Sequence, residues 1–171
     1  MSEKDTTTSS APTPAPSPME LVLQFHHTYS VPIRPFSDPT LDYERMNMRM
    51  SLIAEEFAEL MGAVYGPRAR AIIEAATVEA VAADEGERDV IEAADALADL
   101  VYVVYGMAIE SGMNLDSVLA EVQASNLSKL MPDGSVKLRE DGKVLKGPNF
   151  FAPNIARGLG LETEENTNDA D

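Results

Sequence analysis

The 171-residue chain has no cysteine, no tryptophan, two histidines and five lysines. Without cysteine there are no disulfides and no thiolate metal sites, which fits a reducing, cytoplasmic setting. His26 and His27 are adjacent, cannot share one helix face, and so make no histidine metal cluster. Positive charge is scarce: 13 Lys plus Arg stand against 29 Asp plus Glu, a net charge of −16. Such a surface repels nucleic acid polymers and anionic lipid. No apolar run approaches the roughly 20 residues that span a bilayer, and no cationic-then-apolar leader is expected. Phosphate-cradling loops of the Walker or Gly-x-Gly-x-x-Gly kind are missing. Asp133-Gly134 and Asp141-Gly142 lack the acid spacing of a calcium loop.

What remains is ordinary globular composition, 44% hydrophobic and 25% charged, between two polar ends. Residues 1–17 are rich in Ser, Thr, Ala and Pro and are expected to be a disordered tail; 161–171 read as an acidic tail. One domain is expected over 18–160, with no internal repeat. Ser17-Pro18-Met19-Glu20 predicts a capped helix to about His27. Asp42 predicts the start of a long helix ending at Tyr65-Gly66-Pro67. Ala71–Ala83 is a further helical candidate. Asp89 predicts a helix to about Ser111-Gly112, and Asn114 one through about Lys129. Two alternating segments then flank Asp141-Gly142, a hairpin signal. The fold class is all-α, a helical bundle with one small C-terminal hairpin.

Carboxylates lie where apolar side chains are expected. At about 100° per residue, Glu55, Glu56 and Glu59 fall within one sector, and Met48 and Leu52 precede them along the same line. In the helix from Asp89, Leu97 and Leu100 through Tyr105 cover nearly the whole circumference, which predicts burial. Asp95 and Asp99 nevertheless sit four apart within it. Glu in a helix is ordinarily a solvated charge, and Glu92 stands where a capping-box Glu would. Asp inside an apolar helix is harder to explain, since it is a poor helix former and its buried carboxylate is costly. Five acids on two core helices call for positive charge. Hard oxygen donors without Cys or paired His favour Mg²⁺ or Mn²⁺.

Four of the five lysines, Lys129, Lys137, Lys143 and Lys146, lie within eighteen residues, together with Arg139. A two-residue hairpin loop predicts Lys137 opposite Lys146 and Arg139 opposite Val144, with Lys137, Arg139 and Lys146 on one face. Edge lysines that block strand addition explain this as well as an anion site does. A triphosphate would suit both the lysines and the metal. Ser125-Asn126-Leu127-Ser128-Lys129 adds amide, hydroxyl and ammonium groups suited to phosphate or base edges.

Four motifs in order resemble the MazG-like all-α nucleoside triphosphate pyrophosphohydrolases, relatives of phosphoribosyl-ATP pyrophosphohydrolase, and the phage-type members most. They are Arg49-x-x-Leu52-Ile53-x-Glu55-Glu56, Ala98-Asp99 through Gly106, Ser125-Asn126-x-Ser128-Lys129, and Asp141-Gly142-Lys143-x-x-Lys146-Gly147-Pro148-Asn149. Two features depart from the family pattern. The Glu of the second acidic motif falls on Ala96, so Asp95 or Glu92 takes its place, and an Ala-rich insertion lengthens residues 67–88. The resemblance implies cleavage of a nucleoside triphosphate to a monophosphate and pyrophosphate, with Mg²⁺ or Mn²⁺ as cofactor. It implies Glu55, Glu56, Glu59, Asp95 and Asp99 as metal ligands, with Glu55 also orienting or deprotonating the water. Lys129, Lys143 and Lys146, with Arg139, would take the pyrophosphate, and Asn126 the sugar or base. Phe25 and Tyr102 are candidates for stacking on the base. A homodimer or homotetramer is implied, in which helices of two chains complete one bundle. The alternatives are phosphoribosyl-ATP as substrate, or a non-catalytic acidic helical binding protein.

Overall fold

The computed structural model describes residues 15–138 and 143–162. Arg139, Glu140 and the expected Asp141-Gly142 turn lie outside the described residues, as do residues 1–14 and 163–171. Six helices follow in chain order: α1 (Pro18–Thr28), α2 (Met46–Tyr65), α3 (Pro67–Ala82), α4 (Val90–Glu110), α5 (Leu115–Leu127) and α6 (Ile155–Gly158). The protein is all-α, as expected. No described helix is long and apolar enough to cross a membrane.

Most helix ends follow local chemistry. The Ser17 hydroxyl accepts from the Glu20 amide at 3.3 Å, and the Glu20 carboxylate accepts from the Ser17 amide at 2.7 Å. This reciprocal pair satisfies two otherwise orphaned donors. Asp89 accepts from the amides of Ile91 and Glu92 at 2.9 and 3.0 Å, and Asn114 accepts from that of Ser117 at 3.2 Å. The α2 start is a correction: it begins at Met46 rather than Asp42, with Arg45 at the N-cap and no side-chain cap. The Asp42 amide instead binds the Thr40 hydroxyl at 3.0 Å, and a turn intervenes. Gly66, at φ 94°, ends α2, and Pro67 opens α3 at once. The four-residue α6 carries no sequence signal beyond its Asn154 cap.

The chain divides into two compact units: one spans Arg34–Val103, the other comprises residues up to Ile33 together with Val104 onward. In the first, α3 packs along α2. In the second, α5 packs against α1 and α6. The Tyr29 hydroxyl, on a residue only 3% exposed, donates to the Asn126 carbonyl at 2.6 Å. Arg157 grips Glu121 through two bonds of 2.7 and 2.6 Å.

The expected burial of α4 is overturned within the single chain. Among the described residues no helix packs along α4 to a comparable extent. Leu97 is 50% exposed, Val101 56%, Tyr102 80% and Val103 61%. Among the described residues the buried apolar side chains are Tyr29, Ala58 and Ala108.

Among the described residues the expected hairpin shows one isolated antiparallel bridge, Leu138 with Val144. That pairing is one residue out of the expected register, a slip that exchanges the faces of alternate side chains. Lys137 now stands opposite Leu145, whose amide donates to the Lys137 carbonyl at 2.7 Å. The shared face of Lys137 and Lys146 is thereby lost.

Candidate active site

The acids are on α2 and on the first part of α4, both in the Arg34–Val103 unit. Glu55, Glu56, Glu59, Asp95 and Asp99 are all exposed, as is Glu92. Their expected convergence does not occur inside one chain: no group of three or more Asp, Glu or His gathers for a metal among the described residues. The packing gives the reason. The helix lying along α2 is α3, the inserted segment, rather than α4. The donor chemistry nonetheless fits a hard divalent cation, since every candidate is a solvent-accessible carboxylate. Glu59 is already held: an Arg70 guanidinium nitrogen lies 3.1 Å from its carboxylate, while Arg70 Nε lies 2.8 Å from Glu74.

The cationic residues lie in the other unit. At the end of α5, the Lys129 ammonium donates to the Asn126 side-chain carbonyl at 2.6 Å. Burial, and then the charge of Lys146, push its pKa below the ordinary 10.5. Lys146 lies over the Phe150 ring, its Nζ 4.1 Å from the centroid, a cation–π contact. No carboxylate among the described residues pairs with either ammonium. Two cations thus stand close together in an acidic protein, one of them half-buried.

Gly147 makes this pairing possible. Its amide donates to the Lys129 carbonyl at 3.0 Å, and a Cβ there would stand 2.4 Å from the Leu130 carbonyl oxygen. Only glycine permits such an approach. Ser125 and Ser128 complete the clasp, the former donating to the Phe151 carbonyl at 2.8 Å and the latter accepting from the Phe151 amide at 3.1 Å.

The structure thus brings Asn126, Lys129 and Lys146 together, and leaves Lys143 exposed in its own contact. Of the stacking candidates, Phe25 is spent on Tyr29, ring to ring at 4.6 Å, whereas Tyr102 is exposed. Sequence reasoning missed Arg70, Gly147 and Phe150. Gly147 was visible only as part of a motif. Nothing in sequence spacing links Arg70 to Glu59, eleven residues away across a helix break.

The phosphoribosyl-ATP pyrophosphohydrolase family model matches residues 22–126. This chain belongs to that family. The MazG-like resemblance therefore stands, and with it a pyrophosphohydrolase assignment at the level of the family. A crystal structure from Exiguobacterium sp. 255-15, of a protein provisionally named an NTP pyrophosphohydrolase, is similar with a TM-score of 0.66. Identity is 26%, over 88% of this chain and 98% of that one. No curated protein matches. The family match covers both acidic motifs and Asn126 and stops before Lys129, so the lysine pair lies beyond it.

Proposed function

We propose that this pyrophosphohydrolase-family chain hydrolyses nucleoside triphosphates, deoxy or ribo, to the monophosphate and pyrophosphate, with Mg²⁺ or Mn²⁺. The observation that carries the reading is the Lys129–Lys146 pair: a desolvated ammonium beside a second one, with no described carboxylate to neutralise either. In a chain of net charge −16, that arrangement suits a leaving pyrophosphate. Lys143 and Arg139 add charge from the same stretch of chain, and the Asn126 amide addresses sugar or base. Glu56, Glu59, Asp95 and Asp99, with Glu55, are the metal donors. When bound, the divalent ion supplies positive charge against the phosphate oxygens. Water adds across the anhydride: its oxygen joins one phosphorus, the bridging oxygen leaves with the other, and Glu55 takes the proton.

The same reading includes self-association as a homodimer or homotetramer. Its support is the uncovered apolar circumference of α4, which carries Asp95 and Asp99. A second chain laid along α4 would both cover Leu97 to Val104 and place the α4 acids among further carboxylates, where a metal is needed.

The test is product analysis across the common dNTPs and NTPs with Mg²⁺ or Mn²⁺. Monophosphate and pyrophosphate in equal amounts are expected, and Glu56→Ala or Asp99→Ala should abolish both. Release of orthophosphate and a diphosphate would refute the bond assignment. The substrate in the family's name motivates one second reading, phosphoribosyl-ATP, and turnover of that compound alone would establish it.

A further inference from the structure

The segment between the two acidic motifs is helix α3, and its Arg70 reaches Glu59 on α2. We infer that Arg70 is a built-in competitor for the metal, an exchangeable cation that occupies Glu59 until a divalent ion displaces it. The inference rests on the reading above that Glu59 is a metal donor.

Three features of the contact carry it. First, the position is built: a Cβ on Gly62 would lie 3.1 Å from Arg70 Cβ, so glycine at that place lets α3 bring Arg70 close to the acidic face of α2. Second, the guanidinium has two carboxylates and holds them unequally. Its bond to Glu74 is 2.8 Å within one helix turn, and its bond to Glu59 is 3.1 Å between helices. Loss of Glu59 therefore leaves Arg70 partnered, so release does not strand a charge. Third, the pair is exchangeable, because both side chains are nearly half exposed, Arg70 at 43% and Glu59 at 48%. An exposed pair of this kind is weak and salt-screened. It can bias metal occupancy without blocking it. Glu59 is the last acid of Glu55-Glu56-x-x-Glu59, so Arg70 lowers the charge of that set in the metal-free chain while leaving Glu55 and Glu56 in place.

Mn²⁺ binding to the full chain, measured by calorimetry and by loss of the free-ion paramagnetic resonance signal, tests this without reference to turnover. Arg70→Gln frees Glu59 and should tighten Mn²⁺ binding by about two- to threefold, the size of an exposed pair. Glu74→Gln removes the alternative partner and should weaken binding, because Arg70 then turns wholly to Glu59. General damage to the α2–α3 packing would weaken both variants, so opposite signs exclude it. The gain from Arg70→Gln should also vanish at high salt. Equal affinities in the wild type and both variants, or a loss in Arg70→Gln, overturns the inference. Glu56→Ala separates the two levels: if it abolishes Mn²⁺ binding while the Arg70 variant is silent, only the competitor role fails. If Glu56→Ala binds Mn²⁺ normally, the metal reading and the competitor role fall together.

Discussion

Leu97→Ala on α4 should raise the dissociation constant of the self-associated protein by about 50-fold. Leu97 is 50% exposed in the single chain, so about half of its side chain remains to be covered by a partner. Truncation to Ala removes three carbons, about 0.8 kcal/mol each when fully buried, or about 1.2 kcal/mol for half coverage. Two chains meeting across one symmetric interface lose this twice, about 2.4 kcal/mol, which corresponds to roughly 50-fold. Sedimentation equilibrium over a wide concentration range measures it directly. Circular dichroism at the concentrations used should show unchanged helix content, since neither α2 nor α3, the other described helices of its unit, packs extensively along α4. A wild-type protein that stays monomeric at high concentration would refute the reasoning. So would a Leu97→Ala constant within twofold of wild type, because the exposed circumference of α4 would then be covered by nothing.

Pyrophosphate affinity should fall at a pH below the ordinary lysine value of 10.5. Burial lowers the Lys129 pKa, so its charge is lost first as pH rises. Lys129→Arg should carry binding to higher pH, and isothermal titration across pH would show it. The Arg88 guanidinium holds the Asp84 carboxyl down at about 2, against 3.8 normally. The stabilisation is therefore present above pH 3.8 and lost as pH falls through about 2. A carboxyl carbon titration by NMR should find that midpoint, and Arg88→Gln should return it toward 3.8. Gly147→Ala forces a Cβ to within 2.4 Å of the Leu130 carbonyl oxygen. It should cost about 2 kcal/mol of stability, read from urea unfolding, and weaken pyrophosphate binding by separating Lys146 from Lys129.

Local chemistry was legible in the sequence wherever the partners lie within one turn. The Ser17–Glu20 capping box, the Asp89 and Asn114 caps and the Gly66-Pro67 break depend on residues zero to three apart, so they formed as read. Asp42 did not act as a cap: the helix begins four residues later, at Met46, with no side-chain cap at all. The hairpin register failed because a turn signal alone leaves the pairing free to slip by one residue, and the bridge settled on Leu138 with Val144. The acids on α2 and α4 could be found by their intrusion into apolar stripes, and the lysines by their concentration in an acidic chain.

By itself, then, the order of residues determined helix identity, the family and the two sets of charges, since each is written in spacing along one helix or one short segment. Tertiary structure alone decided what meets what. It laid α3 rather than α4 along α2, set Arg70 on Glu59, and folded Gly147 against Leu130 so that Lys146 reached Lys129. It also left α4 uncovered. A hydrophobic pattern specifies that a surface must be removed from water; the direction of the chain after each turn decides which surface does it, and for α4 no described helix of its own unit packs along it as α3 does along α2.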